Sequence, residues 1–75
     1  MQDIHTLAVN FGRFVAERDE LHVDEINEEV VEQVTEEFIR QVLKGERPSD
    51  EELAQIQVAI EHGLIDGATV NEMEG

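Results

Sequence analysis

The sequence predicts an all-α fold: a small three-helix bundle, with room for a short fourth helix at the C-terminus. Apolar residues recur at spacings of three and four in three separate stretches. Acids and other polar residues fill the positions between them. Gly, Pro, Ser and Asp gather at the breaks, where helices start and stop.

The first stretch places Ile4, Leu7, Ala8, Phe11, Phe14 and Val15 on one stripe, which predicts an amphipathic helix from about Asp3 to Asp19 with Asp3 as its cap. Gly12 interrupts this pattern at a cost of about 1 kcal/mol relative to alanine. A close backbone approach beside the two phenylalanines accounts for it better than any functional role. The next four residues, Glu20 to Val23, alternate apolar and polar. They suit a loop whose Leu21 and Val23 plug the end of the core, or a very short strand.

The longest pattern runs from Asp24 to Gly45, DEINEEVVEQVTEEFIRQVLKG. At about 100° per residue, Ile26, Val30, Val31, Val34, Phe38 and Val42 share an arc of roughly 160°. Glu25, Glu28, Glu29, Glu32 and Glu36 fall opposite. Asp24 is placed to cap the helix, Arg40 and Lys44 suit the negative end of its dipole, and Gly45 supplies a left-handed stop.

The third helix opens with Ser49 followed three residues later by Glu52, the spacing of a capping box, with Pro48 just outside it. Leu53, Ile56, Ile60 and Leu64 form a narrow seam, with Ala59 beside it. Gly63 after His62 reads as a C′ stop. The short connection makes the second and third helices antiparallel neighbours. Beyond Asp66-Gly67, Ala68 to Met73 suit a short last helix or a strand paired with Leu21–Val23. The whole, residues 1–75, reads as one small acidic domain with a tail from about residue 66 that frays.

Composition narrows the function. Nineteen acids against five bases leave a net charge of −14. Such a field opposes nucleic acid and anionic membranes and attracts basic protein surfaces. It also serves solubility, or a halophilic habit, which the single lysine Lys44 suits. No apolar run is long enough to span a bilayer. The absence of cysteine and of a basic N-terminal leader suits a cytoplasmic protein.

No catalytic, cofactor or metal motif is present. His5, His22 and His62 are too scattered for a ligand pair. His22 with Asp24, Glu25 and Glu28 could hold a divalent ion only weakly, no calcium-loop spacing is present, and solvated side chains near helix ends are the better reading. Ala59, Gly63, Leu64 and Ala68-Thr69-Val70 resemble a helix-turn-helix, but its spacing is one residue too long. Residues 48–75 also hold seven acids and no Lys or Arg, so nothing there grips phosphate.

A surface remains. From Glu17 to Glu37 there are ten acids and one arginine, Arg18. On the outer arc of the second helix the carboxylates come roughly every 5 Å, a sparse imitation of the phosphate row of DNA at about 1.7 Å per charge. Ile39 and Leu43 lie on this acidic arc outside the apolar stripe. Ala54 and Val58 similarly lie off the seam of the third helix. Unless another element covers them, Ile39 and Leu43 make a sticky spot beside the glutamates.

The expected function is therefore a non-catalytic acidic interaction module. It docks on a basic surface of another (host) protein, in the manner of an inhibitor or regulator of a nucleic-acid-handling protein or a DNA mimic. Glu25, Glu28, Glu29, Glu32, Glu36, Ile39 and Leu43 are its contact residues. The alternative is a small helical adaptor or secretion-type chaperone that forms a homodimer, its acidity serving solubility alone.

Overall fold

A computed structural model describes residues 3–74, and among them the chain forms three α-helices and no strand. Helix α1 spans Ile4–Arg18, α2 spans Glu28–Gln41 and α3 spans Asp50–Glu74. The domain is a slab of 37 × 27 × 17 Å. Its core is built from Ala8, Val15 and Ala16 of α1, Val31, Val34 and Phe38 of α2, and Ile56, Ala59, Ile60 and Leu64 of α3. Among the described residues no helix is long and apolar enough to cross a membrane.

Helix α1 begins as its sequence predicts. Asp3 accepts a hydrogen bond from the Thr6 N–H at 2.9 Å, and that bond holds the Asp3 carboxyl below the usual carboxylate range. Its C-terminus is closed by Glu20, whose φ of 53° lets the Leu21 N–H reach the Ala16 carbonyl at 3.0 Å. A side chain from α3 completes this cap. Asn71 Nδ2 donates to the carbonyls of Ala16 at 3.0 Å and Leu21 at 2.9 Å, adding a donor from α3 where the carbonyls at the end of α1 run out of intrahelical partners.

Helix α2 starts later than the spacing of its acids suggests. Asp24 and Glu25 belong to a single 3-10 turn, Val23–Glu25, held by the Glu25 carboxylate accepting from the His22 N–H at 2.9 Å. Asn27 is the true cap, accepting from the Val30 N–H at 3.0 Å. An asparagine carbonyl serves as well as a carboxylate here. Asn27→Ala is expected to cost about 1 kcal/mol, read as a lower urea midpoint, while Asp24→Ala leaves that midpoint unchanged. At the other end Lys44 and Gly45 both take positive φ, 56° and 86°. The Gly45 N–H then closes on the Ile39 carbonyl at 2.9 Å.

Helix α3 departs most from expectation. Its start is as predicted, with the Glu52 N–H donating to Ser49 Oγ at 3.2 Å. It does not stop at Gly63, however. It runs unbroken through Gly63 and Gly67 to Glu74, so the tail becomes the end of α3 rather than a fourth helix or a strand.

The physical reason is a close crossing. A Cβ on Gly63 would collide with the Val9 carbonyl oxygen, one on Gly12 would stand 2.5 Å from the Ile60 oxygen, and one on Gly67 2.7 Å from Ala16 Cβ. Glycine at these three positions lets α1 and α3 touch backbone to backbone. The contact offsets the helix-breaking tendency of two internal glycines, about 1 kcal/mol each. Val9 meets Gly63 and Ala16 meets Gly67, so α1 and α3 run parallel.

Helix α2 lies antiparallel to α3. The Val31 end of α2 faces Val58 and Glu61, and Glu36 lies near Leu53. Phe38 anchors α2 in the core, meeting Phe11 edge-on at 5.5 Å between ring centroids. Phe14, assigned by spacing to the apolar stripe, is 56% exposed. It packs against Phe11 on one side and lies under the Arg18 guanidinium, 5.7 Å from the ring centroid.

Candidate functional site

Two hollows lie side by side along the α2–α3 seam. The larger, about 660 Å³, is walled by Asn27, Glu28, Val31 and Glu32 on one side and by Ala54, Gln57, Val58 and Glu61 on the other, with Ile26 at its mouth. The smaller, about 470 Å³, shares Glu32 and Gln57 with it and continues toward Leu53, Glu36 and Arg47. Because the two share walls, they form one trough. At 100° per residue, Ala54, Val58 and Glu61 face well away from Ile60, Gly63 and Gly67, the positions committed to α1. The trough therefore opens on the side of α3 that α1 leaves bare.

Its chemistry is amphipathic. Val31 is buried in the floor, while Val58 is 51% exposed. Glu28, Glu32 and Glu61 stand in water around these side chains, and no base lines the larger hollow. At the far end Arg47 meets Glu36 at 3.2 Å, so the acidity is strongest at the end where α2 begins.

Two further arginines are held elsewhere. Arg13 pairs with Asp66 at 3.3 Å, and Arg18 with Asp19 at 3.0 Å and Glu37 at 3.3 Å. The Arg18 guanidinium, through its hydrogen bonds, holds the Asp19 carboxyl below the usual carboxylate range, and those same bonds raise the Arg18 pKa. His22 leans toward Glu72, with 3.6 Å between Nδ1 and Oε1, tying the interhelical turn to α3. These exposed pairs contribute little to stability, and among the described residues Glu36 is the one trough carboxylate in an ion pair.

The contact residues predicted from sequence divide into three groups. Glu28, Glu32 and Glu36 line the trough. Glu25 and Glu29 do not: Glu25 is turned back onto the His22 backbone, and Glu29 is exposed on α2 outside the groove.

Ile39 and Leu43 are not a surface spot. Ile39 is only 3% exposed, and Leu43 is half-buried against the core. Thr35, one turn before Ile39 on the same face, is buried as well, its hydroxyl donating to the Val31 carbonyl at 2.7 Å. With its polar group satisfied internally, Thr35 packs like an apolar residue. The buried arc of α2 is thus wider than its aliphatic stripe and reaches round to Ile39.

The sequence contained a sign of the actual apolar surface. Ala54 and Val58 lie off the seam of α3, and both line the trough. Glu61 and Gln57 gave no such sign, because an exposed polar residue on a helix is the ordinary case. No known protein family, curated protein or solved structure matches the chain.

Proposed function

We propose that this protein is a non-catalytic acidic interaction module that docks on a basic surface of another protein. The observation that supports the reading best is the α2–α3 trough, where Glu28, Glu32 and Glu61 surround the half-exposed Val58. Acids surrounding an open apolar floor favour a partner that is basic at its edge and apolar at its centre. The net charge of −14 steers such a partner in and repels nucleic acid and anionic membranes. Basic faces of this kind occur on proteins that handle nucleic acid. Occupying one would inhibit or regulate its owner without imitating DNA phosphate by phosphate.

The test compares immobilised wild-type protein with the triple variant Glu28→Gln, Glu32→Gln, Glu61→Gln. Basic proteins from the source lysate are expected to bind the wild type at low salt and to elute between about 50 and 200 mM, where screening sharpens. The variant is expected to retain at least about tenfold less, each lost charge contact weakening a partly desolvated pair. Equal retention by both proteins, or retention indifferent to salt, would refute the electrostatic reading.

A further inference from the structure

The trough runs along the α2–α3 seam, and its direction bears on what kind of basic partner it takes. It extends from Ile26 and Glu61 at one end to Leu53 and Arg47 at the other, alongside α2 from its cap Asn27 to Glu36. That stretch of helix measures about 15 Å at 1.5 Å per residue. Two antiparallel helices with an open furrow between them are the seat that a further helix fills in a four-helix bundle.

In this domain the opposite side of α3 is already occupied by α1, through the glycine crossing. The bare side carries Val58 and Ala54, both exposed among the described residues. The slab is only 17 Å thick in its thinnest direction, and one more helix, packed at an interaxial distance of about 8–10 Å, would complete a second layer.

Charge selects the occupant. A second copy of this chain would bring glutamates against glutamates, each copy carrying −14. An acidic or neutral helix would leave Glu28, Glu32 and Glu61 without partners. A helix with one apolar stripe and Lys or Arg on both flanks satisfies floor and walls together.

We infer that the α2–α3 trough is the seat for one basic amphipathic α-helix from a partner protein. Its apolar stripe would lie on Val58, Val31 and Ala54, and its cations would meet Glu28, Glu32 and Glu61. The helix binds with its more basic end over the start of α2, because Arg47 stands at the other end. This deepens the proposed function and rests on it.

The experiment uses the full chain and four synthetic peptides of about fourteen residues, followed by NMR chemical-shift mapping and calorimetric titration. The first is a helical peptide with a leucine stripe and lysine flanks, the basic cluster at its N-terminus. The second is the first interrupted by two prolines, the third has glutamate flanks, and the fourth is the first with its lysines spread evenly along its length.

The first peptide is expected to bind and to shift the amides around Val31, Ala54 and Val58. Val58→Glu, a change at a half-exposed position that leaves the circular dichroism spectrum unaltered, is expected to weaken it at least tenfold. The second and third are expected to bind at least tenfold more weakly than the first, and the fourth more weakly by a smaller factor.

Equal binding of the proline-interrupted peptide would overturn the helix inference while leaving the basic-surface reading standing. Binding by none of the three basic peptides would overturn both. Equal binding of the glutamate-flanked peptide would overturn the role of charge. An unchanged affinity for Val58→Glu would overturn the placement, and equal affinity of the first and fourth would overturn the orientation.

Discussion

Gly63→Ala is expected to lower the unfolding free energy by about 2–3 kcal/mol, the range for forcing a methyl into a packed interior. On an exposed helix the same change would raise stability by about 1 kcal/mol, so the sign of the result is diagnostic. At Gly63 the new methyl meets the carbonyl oxygen of Val9, a backbone atom that cannot rotate away. The two helices must separate. Separation loosens the neighbouring contacts of Gly12 with Ile60 and Leu64 and the Asn71 bonds that cap α1.

For a chain of this size total stability is of the order of 5–10 kcal/mol, so the loss is a large fraction. The three glycines should rank. Gly63→Ala is the most damaging, Gly12→Ala follows, and Gly67→Ala is the mildest, because its nearest neighbour, Ala16 Cβ at 2.7 Å, is the most distant of the three. Urea unfolding followed by circular dichroism measures all three. A gain in stability at Gly63 would mean that α1 and α3 are not in backbone contact.

Phe38→Ala is expected to cost about 3–5 kcal/mol, and Ile39→Ala about 2–4 kcal/mol. Phe38 is fully buried and carries the edge-on contact to Phe11 that links α2 to α1. Its truncation opens a cavity at the point where α2 is anchored, so α2 should detach before α1 and α3 part. Hydrogen exchange read residue by residue would show the amides of α2 losing protection ahead of those around Gly12 and Gly63. Ile39 is the sharper comparison. If it lay on the outer acidic arc, its truncation would fall within about 0.5 kcal/mol of neutral; buried beside Thr35, it costs several times that. A neutral Ile39→Ala would restore the surface reading of this residue.

How far the fold could be read from the residues depended on whether each signal was local. The start of α1 at Asp3 and of α3 at Ser49 follow from side chains reaching backbone N–H groups three residues on, and the structure places both where the sequence does. The positive φ of Gly45 is local in the same sense. The start of α2 was misplaced because Asp24 and Asn27 both make acceptable caps. Only the Glu25–His22 turn decides between them, by occupying the residues before Asn27.

The candidate site followed the same division. Glu28, Glu32 and Glu36 were identifiable from period alone. Glu61 was not, because it reaches the trough only by lying across the seam from α2, and no spacing within α3 encodes that.

What the sequence by itself determined is the helical class, the number of main helices, the acidic character and the caps at Asp3 and Ser49. Each is set by periods and bonds that span three or four residues. Only the tertiary structure decided that α3 continues through Gly63 and Gly67, that Ile39 is core, and that Val58 is left half-exposed beside the α2–α3 seam. A glycine ends a helix when water surrounds it and serves a helix when another backbone lies against it. The difference rests on a neighbour more than fifty residues away along the chain, Val9 against Gly63.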